Sequence, residues 1–279
     1  MAQAYWQRVQ ENGLAVPTDR PLVDLTTELT RMLGSTDPDL RDGVAFPVLA
    51  TWITEGVYDD LLAGLGDGMA AGLTQGLGES GTDTVFRRSF SVLILAVCVE
   101  RDNAVRLLPD TKLLEWGDRV GAWLVREQDV RGFVPGKGWA HAVAHGADAL
   151  GALAESPHFR LNELVVLLDV IADRVLAPTP TVLTCGEPDR LARAATQILR
   201  RGIVPLPVIG PLVNRIVAAI TAEDPADRDP FLGTGNPDAF LRALYLQAAL
   251  TSGPDDDLVK LLGDALVTTK PYYFGATAQ

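Results

Sequence analysis

Along most of the chain apolar side chains return every three or four residues, the spacing that lines one face of an α-helix. Leu22, Leu25, Leu29 and Met32 form one such stripe, and Phe86, Phe90, Leu93, Ile94 and Val97 form another. The spacing recurs in Leu113, Leu114, Gly117, Val120, Gly121 and Leu124, in Leu161, Leu164, Val165, Leu168 and Ile171, and in Leu258, Leu261, Leu262, Ala265 and Leu266. Each stripe leaves a polar face opposite, and the alternation of a half-buried strand is almost absent. The pattern predicts an all-α fold, more than about 60% helical, with about ten to twelve helices and no sheet of three or more strands.

Several helix starts are marked by a capping side chain followed by proline, whose missing N–H is an orphan donor in a first turn anyway. Asp37 with Pro38 and Asn236 with Pro237 are the clearest. Asp110 after Pro109, and Asp255 and Asp256 after Pro254, add negative charge where the helix dipole is positive. Helices joined by short turns predict antiparallel pairs, stacked as a HEAT-like α-solenoid or curled into a bundle. LTTELTRMLGSTDPDLRDGVAFPVLATWI reads as one pair, with its turn at Gly34 to Asp37 and its second helix bent near Pro47. Breaks at Gly78 to Asp83, Ala177 to Pro188 and Glu223 to Asn236 are short enough to be loops. Residues 1–279 are therefore expected to form one continuous helical domain.

Charge narrows the partners. Among 279 residues, 24 Lys and Arg stand against 36 Asp and Glu, a net charge of −12. That excess argues against nucleic acid or an anionic membrane as partner. A HEAT-like DNA glycosylase would need a basic concave face that the sequence does not supply. The longest uncharged stretch, Gly202 to Asn214, falls short of the roughly 20 apolar residues of a membrane-spanning helix. The opening MAQAYWQRVQENG carries no basic stretch leading into an apolar run, and only two cysteines are present, which together give a cytoplasmic expectation.

The glycine-rich segment from Gly64 to Gly81 is not a phosphate loop, because no strand precedes it and no Lys-Ser or Lys-Thr follows. Gly68, Gly72 and Gly76 would share a face along which another helix backbone packs closely.

Chemistry concentrates in RGFVPGKGWAHAVAHGAD, Arg131 to Asp148. His141, His145 and Asp148, spaced i, i+4 and i+7, would lie within an arc of about 60° on a helix beginning near Trp139. Val143, Ala147, Leu150 and Ala154 take the opposite face, and Ala142, Ala144, Gly146, Ala149 and Gly151 on the flanks would let neighbouring helices close in. The stripe supports three functional readings beside simple capping of the preceding loop. Imidazole and carboxylate could hold a divalent metal, the one cofactor the sequence suggests; the metalloprotease signature is excluded because Ala142 replaces its glutamate. One histidine, oriented by Asp148, could be a catalytic acid or base, with Lys137 or Arg131 stabilising negative charge. The histidines with Arg131, Lys137, Gly138 and Trp139 could bind a protein, peptide or small-molecule ligand in an inter-helix groove. Elsewhere Cys98, Trp52, Trp116 and Trp123 read as core, and Cys185 as a weak nucleophile candidate. His158 reads as exposed, and KPYYF, Lys270 to Phe274, as an aromatic plug over the last helix pair.

GSTDPDLRDGVAFPVLATWI, Gly34 to Ile53, and RGFVPGKGWAHAVAHGADAL, Arg131 to Leu150, together resemble a bacterial family catalogued as domain of unknown function twenty-seven eighty-five. The resemblance extends from about Leu22 to Tyr273. It implies an all-helical bacterial protein of HEAT-like build and supplies no reaction, cofactor or partner, only an emphasis on Lys137, Gly138, Trp139, His141, His145 and Asp148.

Overall fold

The computed structural model describes residues 2–222, 229–252 and 256–274, and about 72% of these are helical. Twelve helices have nine or more residues, and the only strands among the described residues are two of two residues each. The residues expected as helix cap or break at Pro254, Asp255 and 223–228 lie outside the described part. Two compact units form, Met1–His158 and Phe159–Gln279.

The first unit contains α1 (Ala2–Glu11), α2 (Leu22–Met32), the single turn α3 (Pro38–Leu40), α4 (Phe46–Thr54), α5 (Leu62–Gly72), α6 (Thr84–Val105), α7 (Asp110–Arg126), β1 (Phe133–Val134), β2 (Gly138–Trp139) and α8 (Ala142–Glu155). Asp37 caps α3 as expected, its side chain accepting from Asp39 N at 2.9 Å. The distortion expected at Pro47 lies one turn earlier, as a π-helical turn over Arg41–Ala45. Pro47 has no N–H to give the Gly43 carbonyl, which instead accepts from the Gln10 side chain.

Helix α6 packs on α4, α5 and α8, so it has no solvent face along most of its length. The stripe of Phe86, Phe90 and Ile94 is buried, but so are Arg88, Ser89, Ser91 and Asp102. A helix surrounded on all sides needs internal partners for its polar groups, and those partners build the site described below. Trp52, Trp116, Trp123 and Cys98 are core residues as expected, and burial pushes the Cys98 thiol pKa far upward.

The glycines of α5 pack differently from expectation. A Cβ on Gly66 would lie 2.1 Å from the Trp116 ring, and one on Gly72 would lie 2.3 Å from Ser91 Oγ. Gly68 meets nothing within 4 Å, and Gly76, with φ +66, lies beyond the helix. The close approach is therefore made by Gly66 and Gly72, against side chains of α7 and α6.

Tyr58 is buried with its hydroxyl 2.8 Å from Thr26 Oγ1, and burial pushes the phenol from its ordinary 10.0 up to about 12. Because the folded value is the raised one, the stabilisation is complete below the ordinary value and is lost as pH climbs between the two. The loss is about 3 kcal/mol at about 1.4 kcal/mol per unit. Urea unfolding across that alkaline interval should show a decline in stability that Tyr58→Phe largely removes.

The second unit contains α9 (Leu161–Leu176), α10 (Glu187–Arg200), α11 (Leu206–Thr221), α12 (Phe231–Ser252), α13 (Asp257–Thr269) and the short α14 (Pro271–Phe274). Helix α12 packs on α9, α10, α11 and α13. Asn236 and Pro237 do not start it but lie inside it. Asn236 is buried because its side chain accepts from Leu183 N at 2.8 Å and donates to Thr179 Oγ1 at 3.1 Å, tying down the loop before α10. Asp256 caps α13 through Leu258 N at 2.9 Å. The expected aromatic plug is not one: Tyr272, Tyr273 and Phe274 are exposed, and Lys270 is drawn to Asp238 at 2.7 Å.

Candidate functional site

The loop that the sequence places between α7 and α8 is an ordered hairpin. Its two strands pair antiparallel in the register Phe133↔Trp139 and Val134↔Gly138. Pro135, Gly136 and Lys137 form the turn, closed by Lys137 N donating to the Val134 carbonyl at 3.0 Å. Gly138 is required twice over. Its φ is +76, and a Cβ there would lie 3.0 Å from both Arg41 Nη2 and Pro38 Cβ.

Ion pairs ranging from the exposed rim to the buried core surround this hairpin. Lys137 Nζ reaches both carboxylate oxygens of Asp83, at 2.6 and 2.8 Å. Arg131 chelates Asp129 through Nε and Nη2, and Nη2 also donates to the Thr82 carbonyl at 2.6 Å. Beneath them Arg88 and Glu127, both fully buried, make a two-pronged ion pair at 2.6 and 2.8 Å. Glu127 also accepts from Trp123 Nε1 at 3.1 Å and Asp129 N at 2.9 Å. From the other side, fully buried Arg41 donates to the Lys137 carbonyl at 2.7 Å and to the Ser35 carbonyl at 2.6 Å. Its guanidinium lies 4.2 Å from the Phe86 ring centroid and 5.0 Å from that of Phe90. Burial lowers the Arg41 pKa and raises that of its neighbour Asp42, while the ion pair between them opposes both shifts.

The two histidines do not share a helix. Helix α8 begins at Ala142, and His141 immediately precedes it with φ 53 and ψ 31, a left-handed conformation. That kink lets His141 N close onto the Arg131 carbonyl at 3.0 Å while its own carbonyl accepts from His145 N at 2.9 Å. Its ring stacks on Trp139 at 4.3 Å with an interplanar angle of 21°. The His145 ring stands edge-on to His141 at 5.8 Å and to Phe90 at 5.1 Å, and Phe133 stands edge-on to Trp139 at 5.2 Å. The result is a continuous ladder of rings from Phe133 through Trp139, His141 and His145 to Phe90.

His145 Nδ1 is 2.8 Å from Ser89 Oγ, which also contacts the Ala140 carbonyl. A carbonyl only accepts, so the Ser89 proton goes to Ala140 and His145 donates from Nδ1. Both imidazoles are buried, at 8% and 7% exposure, and Asp148 is half-buried one turn further along α8. The whole of α8 apart from Asp148 and Glu155 is buried, including the alanine and glycine flanks. Gly146 is in close approach, since a Cβ there would lie 2.7 Å from Leu124. Among the described residues no group of three or more His, Cys, Asp or Glu side chains is placed to hold a metal ion.

The structure therefore gathers Arg131, Lys137, Gly138, Trp139, His141 and His145 around one hairpin and gives Lys137 and Arg131 acidic partners of their own. Sequence reasoning missed Arg41, Arg88, Ser89, Glu127 and Asp129. The available signal was FRRSFS, charged and hydroxylic residues embedded in an otherwise apolar helix. His158 is a correction: its side chain is 14% exposed, with Nδ1 2.9 Å from Asp110 and Nε2 3.6 Å from buried Asp102. Two carboxylates, from the last turn of α6 and the first residue of α7, draw the ring in.

An all-helical protein whose interrupted helix α7–α8 connection carries an aromatic hairpin on a buried ionic base is the class that fold and site define. The chain belongs to the family described as Protein of unknown function (DUF2785), whose model matches residues 73–246. The match includes the hairpin, both histidines and the Arg88–Glu127 pair, and leaves Arg41 outside it. No curated protein and no solved structure matches the chain. No helix among the described residues is long and apolar enough to cross a membrane.

Proposed function

We propose that the protein is a binding module whose contact surface is the upper end of the ring ladder, Phe133 and Trp139, backed by His141 and His145. One observation carries this reading: Phe133 is 55% and Trp139 41% exposed on a hairpin whose supporting charges are internally matched. Exposed aromatic surface on a rigid base binds ligands at small entropic cost. The occupant is a peptide segment of a protein, or a small molecule, that offers a planar or cationic group to the rings; the net charge of −12 draws cations and repels nucleic acid and anionic membrane.

A second reading, catalysis by His145 with Asp148 and His141 near it, is favoured by the Ser89–His145 contact at 2.8 Å. Against it, Ser89 has no exposed surface and so cannot meet a substrate, and Lys137 and Arg131 are committed to Asp83 and Asp129. A divalent metal on His141, His145 and Asp148 belongs to that second reading, and the binding reading makes no use of one. The HEAT-like build is part of the proposal too, supported by the packing of chain-adjacent helices α5 on α6, α7 on α8, α11 on α12 and α12 on α13. So is a bacterial, cytoplasmic setting, supported by the family resemblance and by two free cysteines.

The test is a saturation-transfer NMR screen of indole, imidazole and guanidinium fragments and short peptides containing them, run on wild type and Trp139→Ala. Hits on wild type should weaken about ten-fold or more with Trp139→Ala, the loss expected for about 1.4 kcal/mol of ring contact. Hits that bind Trp139→Ala as well as wild type would overturn the reading.

A further inference from the structure

Two grooves adjoin along α5 of the first unit, on a part of the surface that shares only Asp83, the partner of Lys137, with the hairpin support described above. One, of about 600 Å³, is lined by Arg31, Gly68, Gly72, Gln75, Asp83 and Arg87. The other, of about 330 Å³, is lined chiefly by apolar side chains, among them Leu22, Val23, Tyr58, Leu61, Leu65 and Met69. Gly68 and Arg87 belong to both, so Arg87 marks their junction.

Arg87 is out of pattern for this chain. The other buried or half-buried arginines described in the unit each meet a carboxylate: Arg20 with Glu28, Arg41 with Asp42 and Arg101 with Asp59 at 2.7 Å, and Arg88 with Glu127 and Arg131 with Asp129 at 2.6 Å. Among the described residues Arg87 meets none; its Nη1 donates to the Thr30 carbonyl. Burial lowers its pKa, the direction expected for a charge withdrawn from water. Arg31, on the same groove, is exposed and also forms no ion pair among the described residues. Two cations without an ion pair among the described residues thus line one groove in a protein with twelve more acidic than basic residues. The floor is open between them, since a Cβ on Gly68 would meet nothing within 4 Å.

We propose that these joined grooves bind an amphipathic monocarboxylate, its carboxylate on Arg87 and Arg31 and its hydrocarbon tail among Leu22, Leu61, Leu65 and Met69. The guanidinium fork of Arg87 matches a carboxylate in shape and supplies the missing counter-charge. The tail exchanges water for apolar side chains in the second groove. A single negative charge is favoured because Arg87 offers one guanidinium fork, and Lys137, beside the groove wall at Asp83, is already paired with that carboxylate.

The experiment is calorimetric titration of the full chain with decanoate below its micelle concentration, beside decanol, acetate and decyl phosphate. Decanoate should bind, decanol and acetate about ten-fold or more weakly, and decyl phosphate no better than decanoate. Arg31→Gln and Leu61→Ser change exposed residues that the fold does not depend on, and each should weaken decanoate roughly three-fold or more. Arg87→Lys, which keeps the charge and loses the fork, should weaken it further. Trp139→Ala should leave decanoate binding unchanged, so failure here is separable from failure at the hairpin. The proposal is overturned if decanoate does not bind, if decanol matches it, if decyl phosphate exceeds it, if Trp139→Ala abolishes it, or if Arg31→Gln and Leu61→Ser both bind like wild type.

Discussion

Glu127→Ala is expected to destabilise the first unit by about 3–5 kcal/mol, read as a fall in the urea midpoint, because it leaves the fully buried Arg88 without its counter-charge. The same carboxylate accepts from Trp123 Nε1 and from Asp129 N, so the change also frees the residue that anchors Arg131. Against a typical total stability of about 5–15 kcal/mol, that is a large fraction. The double replacement Arg88→Met with Glu127→Leu should recover much of the loss, since removing both charges leaves neither one unpaired. A single variant as stable as wild type would show that the pair does not hold the base of the hairpin.

The second large effect comes from one methyl group. Gly66→Ala would place a Cβ 2.1 Å from Trp116, whose ring is wholly buried and whose Nε1 is tied to Asp67 at 2.9 Å, so the ring cannot swing aside freely. Overpacking of this kind costs about 3 kcal/mol, against about 1 kcal/mol of helix propensity returned by alanine. Gly68→Ala, two residues on in the same helix, should instead stabilise by up to about 1 kcal/mol, because it meets nothing. Thermal unfolding of the two variants should shift in opposite directions. Equal shifts would contradict the packing described for α5.

Both predictions concern features the sequence pattern shows unevenly. The all-helical class was legible because amphipathic stripes such as Leu22, Leu25 and Leu29 repeat throughout, and Asp37 announced its helix through an ordinary capping residue. What periodicity could not show is which helix lies in the middle. Helix α6 reads as amphipathic if Arg88 and Ser89 are assigned to a solvent face, yet both are buried and meet partners 39 and 56 residues away. Long-range ion pairs leave no local signature. The hairpin was equally hidden, because two-residue strands are too short to alternate and Arg41, which donates to the turn at the Lys137 carbonyl, lies 96 residues earlier. His141 looked helical by spacing, but a left-handed residue breaks the 100° step on which the shared arc relied. Asn236–Pro237 carried a capping signal for a helix already five residues old, since Asn236 caps a loop instead. The sequence singled out the residues that the structure gathers around the hairpin, and their geometry came from contacts distant in the chain.

The direct measurement of the binding reading follows the indole Nε1–H resonances in a ¹⁵N-resolved NMR titration with a fragment or peptide hit from the screen. The Trp139 signal and the hairpin amides of Phe133 and Gly138 should shift in proportion to occupancy, while Trp6, Trp52 and Trp116, whose indoles are buried, stay in place. Saturable shifts that bypass Trp139 and centre elsewhere would contradict the assignment of the hairpin as the contact surface.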